Sequence, residues 1–102
     1  GIIMLFDQIY RELELTERHL IVLRKVIEEG PIGILKLSDE TEMPTHKVRY
    51  SLRVLEQEHL IKPSSHGAVA GENTEKFLED FDGQIADIIA KASHIQQIRN
   101  SI

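Results

Sequence analysis

Residues 44–62 carry the side chains of this chain that are best suited to bind another molecule. Four basic residues stand there against two acidic ones, a net charge of +2, whereas the whole chain has a net charge of −5. Arg49 and Arg53 offer forked donors that match phosphate oxygens and the edge of guanine. A basic segment on an acidic body is a candidate for insertion into a groove of nucleic acid.

The first part of this segment, to about Glu58, is predicted to form an amphipathic helix, at about 100° per residue. Val48, Leu52 and Leu55 share the side to be buried, with Ser51 beside them. The candidate binding residues lie on the opposite side of the helix and on its flanks. They are His46, Lys47, Arg49, Tyr50 and Arg53 on the helix, Thr45 at its start and Lys62 beyond its end.

Thr45 is the expected cap of this helix, because its hydroxyl can accept a hydrogen bond from a free amide of the first turn. If Pro44 occupies the first helical position instead, the cap moves to Met43. Pro44 also ends any preceding helix before the turn, since it restricts Met43 to an extended conformation.

Bulk composition narrows the classes of function. A chain of 102 residues is one domain, or one domain with an arm. The absence of cysteine excludes disulfides and thiolate metal sites and favours the reducing cytoplasm. No apolar run approaches the length of a membrane span, and the apolar opening lacks the basic flank of a signal peptide. A cytoplasmic protein without membrane contact is expected.

Catalysis and metal binding have little support in the sequence. There is no nucleophile elbow and no phosphate-binding glycine loop, so no enzyme and no cofactor are predicted. Ser64, Ser65 and His66 are better explained as a turn. The five histidines do not cluster, and Asp87 and His94 could share a metal only across a dimer.

Apolar spacing predicts five more elements before and after the basic helix. Helices are expected over residues 2–13, 16–29 and 32–41, and two short strands over residues 60–62 and 68–70. In the second helix Thr16 caps the start, Gly30-Pro31 stops the end, and four apolar residues face inward. Those four are Leu20, Leu23, Val26 and Ile27; in the third helix the inward residues are Leu35, Leu37 and Ser38.

A last helix is predicted over residues 75–99, capped by Asn73 or Thr74. Its apolar residues step by three and four, as in a heptad seam. They are Leu78, Phe81, Ile85, Ile88, Ala92 and Ile95. We expect this seam to build a homodimer together with residues 2–13, the alternative being a helix that folds back on its own domain. Asp82-Gly83 could break the helix in two.

The order of helix, helix, tight turn, basic helix and hairpin resembles the winged helix-turn-helix transcriptional regulators. In particular, it resembles small predicted archaeal regulators related to the MarR/ArsR group. The resemblance covers residues 16–70. It lies in Leu37-Ser38, Met43-Pro44, Val48, Leu52, Leu55 and Leu60-Ile61.

The resemblance implies a mainly α fold with a small β-hairpin, a winged helix-turn-helix between N- and C-terminal helical arms. Residues 1–14 would be a dimerisation arm, residues 15–71 the DNA-binding domain and residues 72–102 the dimerisation helix. Such a protein would bind double-stranded DNA sequence-specifically as a homodimer. The alternative is a winged helix that binds other proteins in a transcription or replication assembly. The operator, the direction of regulation and any effector ligand are not predicted.

Within that family, roles follow for the candidate residues. His46, Arg49, Tyr50 and Arg53 would contact bases, and Thr45, Lys47 and Lys62 would contact phosphates. The chain departs from the family pattern where glycine is common, with Glu42 in the turn and His59 after the basic helix. The wing loop carries no arginine, which argues against a strong minor-groove contact there.

Overall fold

The computed structural model describes residues 4–102, which form four helices and one two-stranded antiparallel hairpin. The elements are α1 (Leu5–Glu29), α2 (Ile34–Thr41), α3 (Thr45–Gln57), β1 (Ile61–Ser64), β2 (Gly67–Ala70) and α4 (Thr74–Asn100). The expected class, mainly helical with a small hairpin, is confirmed.

The core lies where the second half of α1, α2 and α3 meet the hairpin. Val48 and Leu55 point into it from α3, as predicted, and Leu52 packs at its edge. Ser51 is fully buried beside them. The buried apolar residues are Val22, Leu23, Val26, Ile32, Leu37, Val48, Leu55, Leu60, Ile61 and Ala68.

α1 is one helix of 25 residues, so the prediction of two helices divided at Leu15 and Thr16 is wrong. Neither glycine nor proline interrupts the sequence from Leu5 to Glu29. Thr16 is not a cap, because its hydroxyl donates to the Glu12 carbonyl oxygen at 2.9 Å, the usual solution for threonine inside a helix. The predicted contribution of Ile2 lies outside the described residues.

Two inward assignments are also wrong. Ile27 of α1 is 45% exposed and Leu35 of α2 is 75% exposed. Val22 and Ile34 take the inward positions instead. Each helix has apolar residues on more than one side, and its spacing alone does not say which side meets the core.

Gly30 ends α1, as predicted, with its amide donating to the Val26 carbonyl at 2.7 Å. Ile32 does not begin α2. It pairs with Ala68 of β2 through two backbone hydrogen bonds of 3.1 and 2.8 Å, so the link between α1 and α2 lies against the hairpin. Gly67 is required there, since it has a φ of 123° and lies against the backbone of Ile32.

α2 and α3 both end in Schellman motifs. Glu42 has a φ of 56°, and the Met43 amide donates to the Ser38 carbonyl. His59 has a φ of 59°, and the Leu60 amide donates to the Leu55 carbonyl. Glu42 and His59 are the two residues that stand where the family pattern often has glycine, and both adopt the left-handed conformation that glycine favours.

The hairpin is tighter than predicted, because its strands extend into the turn cluster. β1 and β2 pair from Ile61 opposite Ala70 to Ser64 opposite Gly67. Only Ser65 and His66 remain in the loop. The Ser64 hydroxyl donates to the Gly67 carbonyl at 2.7 Å and accepts from the His66 amide at 3.2 Å, which confirms turn chemistry at Ser64.

α4 is attached by its first turn to the corner between α3 and β1. The Thr74 hydroxyl donates to the Leu60 carbonyl at 2.6 Å, and the Asn73 amide donates to the His59 carbonyl at 2.9 Å. Asn73 is the N-cap residue, although its side chain makes no capping hydrogen bond. The helix continues through Gly83 without a break.

The two long helices give the protein an elongated shape. Its radius of gyration is 16.5 Å, whereas a compact domain of this length has about 13 Å. Across residues 4–102, no helix combines the length and the apolar character that a bilayer crossing requires.

Candidate nucleic-acid interface

α3 presents the predicted binding residues on its solvent side. His46, Arg49 and Arg53 are exposed, and so is Lys47 on the flank. Positions 46, 49, 50 and 53 follow the spacing that places side chains on one side of a helix. α3 begins at Thr45, which is half-buried; the cap is Pro44 rather than Thr45 or Met43, without a side-chain hydrogen bond.

The basic side chains of this surface have no acidic partners in the part of the chain that the structure describes. Every salt bridge found there involves Lys25, Lys36, His59 or Lys76. The two arginines and Lys47 of α3 are therefore available to an external anion. Unpaired cations on one helix face, in a chain with an excess of acids, suit a polyanionic ligand.

Tyr50 also contacts α1, which its position on the exposed side of α3 did not suggest. The residue is 43% exposed, and its ring lies 5.9 Å from the ring of His19, centroid to centroid, with the planes tilted by 41°. His19 Nδ1 in turn lies 2.8 Å from the Ser51 hydroxyl oxygen. Tyr50 is thus held from one side by α1 while its other side stays open.

His19 was not predicted to belong to this surface, because it is 32 residues away from Ser51 in sequence. A signal was nevertheless present: a serine on the buried side of α3 needs a hydrogen-bond partner. Burial lowers the pKa of His19, and the nearby charge of Arg18 lowers it further. The His19 imidazole and the Ser51 hydroxyl join α1 to α3 at the level of Tyr50.

Lys62 lies on β1, in the hairpin that follows α3. Its side chain is exposed, as is that of His66 in the loop. The hairpin contains no arginine, so its share of positive charge is small. Among the described residues, no group of three potential metal ligands forms, and Asp87 and His94 are exposed on α4.

The predicted dimerisation residues do lie along one side of α4. Leu78, Ile88 and Ile95 are exposed, whereas Phe81 and Ile85 are half-buried. Together with α1, the first half of α4 forms an open groove of about 820 Å³. Its apolar lining includes Leu13, Leu20, Ile27, Leu78, Phe81 and Ile85.

Comparison of the chain with protein-family models and with curated proteins gave no match. The assignment of a function therefore depends on the arrangement of the residues described above.

Proposed function

We propose that this protein is a winged-helix regulator that binds double-stranded DNA sequence-specifically as a homodimer, with α3 as its recognition helix. The observation that supports the proposal most is the unpaired basic side of α3. Arg49 and Arg53 project from it into solvent, while Val48 and Leu55 hold the opposite side in the core. An α-helix fits the major groove of B-DNA, and a helix exposed along one side can enter it.

Two kinds of contact are assigned to this surface. His46, Tyr50 and Arg53 lie along the middle of the exposed side of α3, and Arg49 lies on its flank. All four are assigned to base edges, which would be within reach. Thr45 at the helix start, Lys47 on the flank and Lys62 on β1 would bind phosphates, which position the protein but carry no sequence information.

The contact of Tyr50 with His19 strengthens the assignment of Tyr50. An aromatic ring held on one side by another ring loses little conformational freedom on binding, so its open face is prepared to pack against a base or sugar. The hydrogen bond between His19 and Ser51 supports the same arrangement, because it joins α1 to α3 beside Tyr50.

A titration with labelled duplex DNA tests the proposal. The double variant R49A/R53A should lose most of its affinity, in fluorescence anisotropy, for a duplex selected as the cognate site from a random pool. The matched control is K36A/K76A, which removes two positive charges from exposed positions on α2 and α4. The control should bind nearly as well as the unmodified protein.

Two results would reject the proposal. If both double variants weakened DNA binding equally, the affinity would depend on the total charge of the protein and not on the side chains of α3. Absence of salt-dependent binding by the unmodified protein would favour the other candidate function, a winged helix that binds proteins.

A further inference from the structure

The long helices leave an apolar surface that the domain itself does not cover. Among residues 4–102, fifteen large apolar residues are exposed, and thirteen of them lie on or directly beside α1 and α4. Ile88 is 51% exposed and Ile95 is 41% exposed. Apolar surface this concentrated is typical of a contact with another macromolecule.

The apolar groove between α1 and α4 has room for one more helix. Leu13, Leu20 and Ile27 follow one another at seven-residue intervals along its α1 wall. The second half of α4 cannot occupy the groove of its own chain, because α4 runs straight on through Gly83. A helix that fills the groove must therefore come from another molecule.

We propose that a second copy of this chain fills the groove, with the two α4 helices paired antiparallel. The second half of each α4 then lies between α1 and the first half of α4 of the other copy. This inference deepens the homodimer of the proposed function by giving it an orientation and a register.

Side-chain size favours the antiparallel orientation. With the twofold axis between residues 86 and 87, Phe81 faces Ala92 of the other copy, Leu78 faces Ile95, and Ile85 faces Ile88. Each layer then combines side chains of similar total volume, as close packing requires. A parallel pair would place two Phe81 rings in one layer and two Ala92 methyl groups in another, giving an overfilled layer and a void.

Charge favours the same orientation. Residues 74–85 carry four acidic groups and one lysine, a net charge of −3, whereas residues 86–100 carry one acid and two basic groups, a net charge of +1. Antiparallel pairing sets the acidic half of each helix beside the basic half of the other. Parallel pairing would set two acidic halves side by side, where like charges repel.

The pairing also has a consequence for α3. The first turn of α4 is bonded to the end of α3 through Thr74 and Asn73. An antiparallel pair of α4 helices would therefore fix the separation of the two α3 helices, and with it the spacing of two half-sites on a duplex.

Spin labels can measure the orientation in the intact chain without DNA. The sequence has no cysteine, so Gln84→Cys and Gln96→Cys each provide a single labelling position, and both residues are exposed. At 1.5 Å per residue, an antiparallel pair separates the two copies of position 84 by about 8 Å along the axis and those of position 96 by about 28 Å. A parallel pair gives short distances at both positions.

Short distances at both positions would overturn the antiparallel register. The absence of a dipolar signal would overturn the pairing. An Ile88→Glu variant gives independent evidence, since it buries a charge in the contact and should sediment as a monomer. Its control is Gln97→Glu, which adds the same charge on the opposite side of α4 and should leave the mass unchanged.

These results are separable from those on DNA binding. A monomer that still binds duplex through α3 would reject the pairing, and with it the homodimer, but not DNA binding by α3. An antiparallel dimer without affinity for DNA would reject only the proposed function.

Discussion

Replacing Lys47 by Ala should change how DNA binding responds to salt. Lys47 is exposed on the flank of α3 and belongs to no salt bridge within residues 4–102. If it neutralises a phosphate, its loss removes one contact per copy and two per dimer. At about 0.9 units per phosphate, the plot of log affinity against log salt should flatten by about 1.8 units.

The same loss should weaken cognate and random duplexes alike, because phosphates are identical in both. Arg53 lies in the middle of the exposed side of α3 and is expected to behave differently from Lys47. If it reads a base pair, Arg53→Ala should cost about 1–3 kcal/mol on the cognate site and relax the preference at one position. Neither change should unfold the domain, since substitutions of exposed residues usually alter stability by less than about 0.5 kcal/mol.

Fluorescence anisotropy at several salt concentrations measures both effects. Lys36→Ala is the control, because it removes the same charge from an exposed position on α2. A slope that stays the same in Lys47→Ala would show that Lys47 does not touch a phosphate. A slope that flattens equally in the control would show that total charge, and not position, governs the salt response.

Three further outcomes are expected. Replacing Lys62 and His66 together by Ala should weaken DNA binding less than the double variant of the α3 arginines, in the same anisotropy titration; the opposite ranking would make the hairpin the main contact. His59→Gly should raise the free energy of unfolding by about 0.5–1 kcal/mol in chemical denaturation, because glycine adopts a φ of 59° without steric cost; a loss of stability would contradict this. Burial lowers the pKa of His19 below its ordinary 6.5, so the folded protein binds that proton less readily than the unfolded chain. Stability should therefore fall as the pH drops below about 6.5, and His19→Gln should remove that part of the slope; an unchanged slope would count against the role of His19.

The basic helix was the element most completely predicted from sequence. Its period places Val48, Ser51 and Leu55 on one side, and the structure buries all three. The reason is that one side of this helix is uniformly apolar or small while the other carries the charges, so only one orientation buries no charge.

The predictions that were wrong have different physical causes. The division of α1 at Thr16 relied on capping chemistry, yet the same hydroxyl is satisfied inside a helix by the carbonyl of Glu12. Ile27 and Leu35 were placed inward because apolar residues usually are, and their exposure depends on which elements pack nearby. The contact of His19 with Ser51 joins positions 32 residues apart, which helical spacing cannot reveal.

Chemical-shift mapping of isotope-labelled protein with a random-sequence duplex tests the central claim most directly. The claim is that the exposed side of α3 binds DNA. As the duplex is added at low salt, the backbone amide signals of residues 45–53 should move most, with smaller changes near Lys62 and little change around Lys36. Shifts centred away from α3, or no shifts at all, would contradict the account.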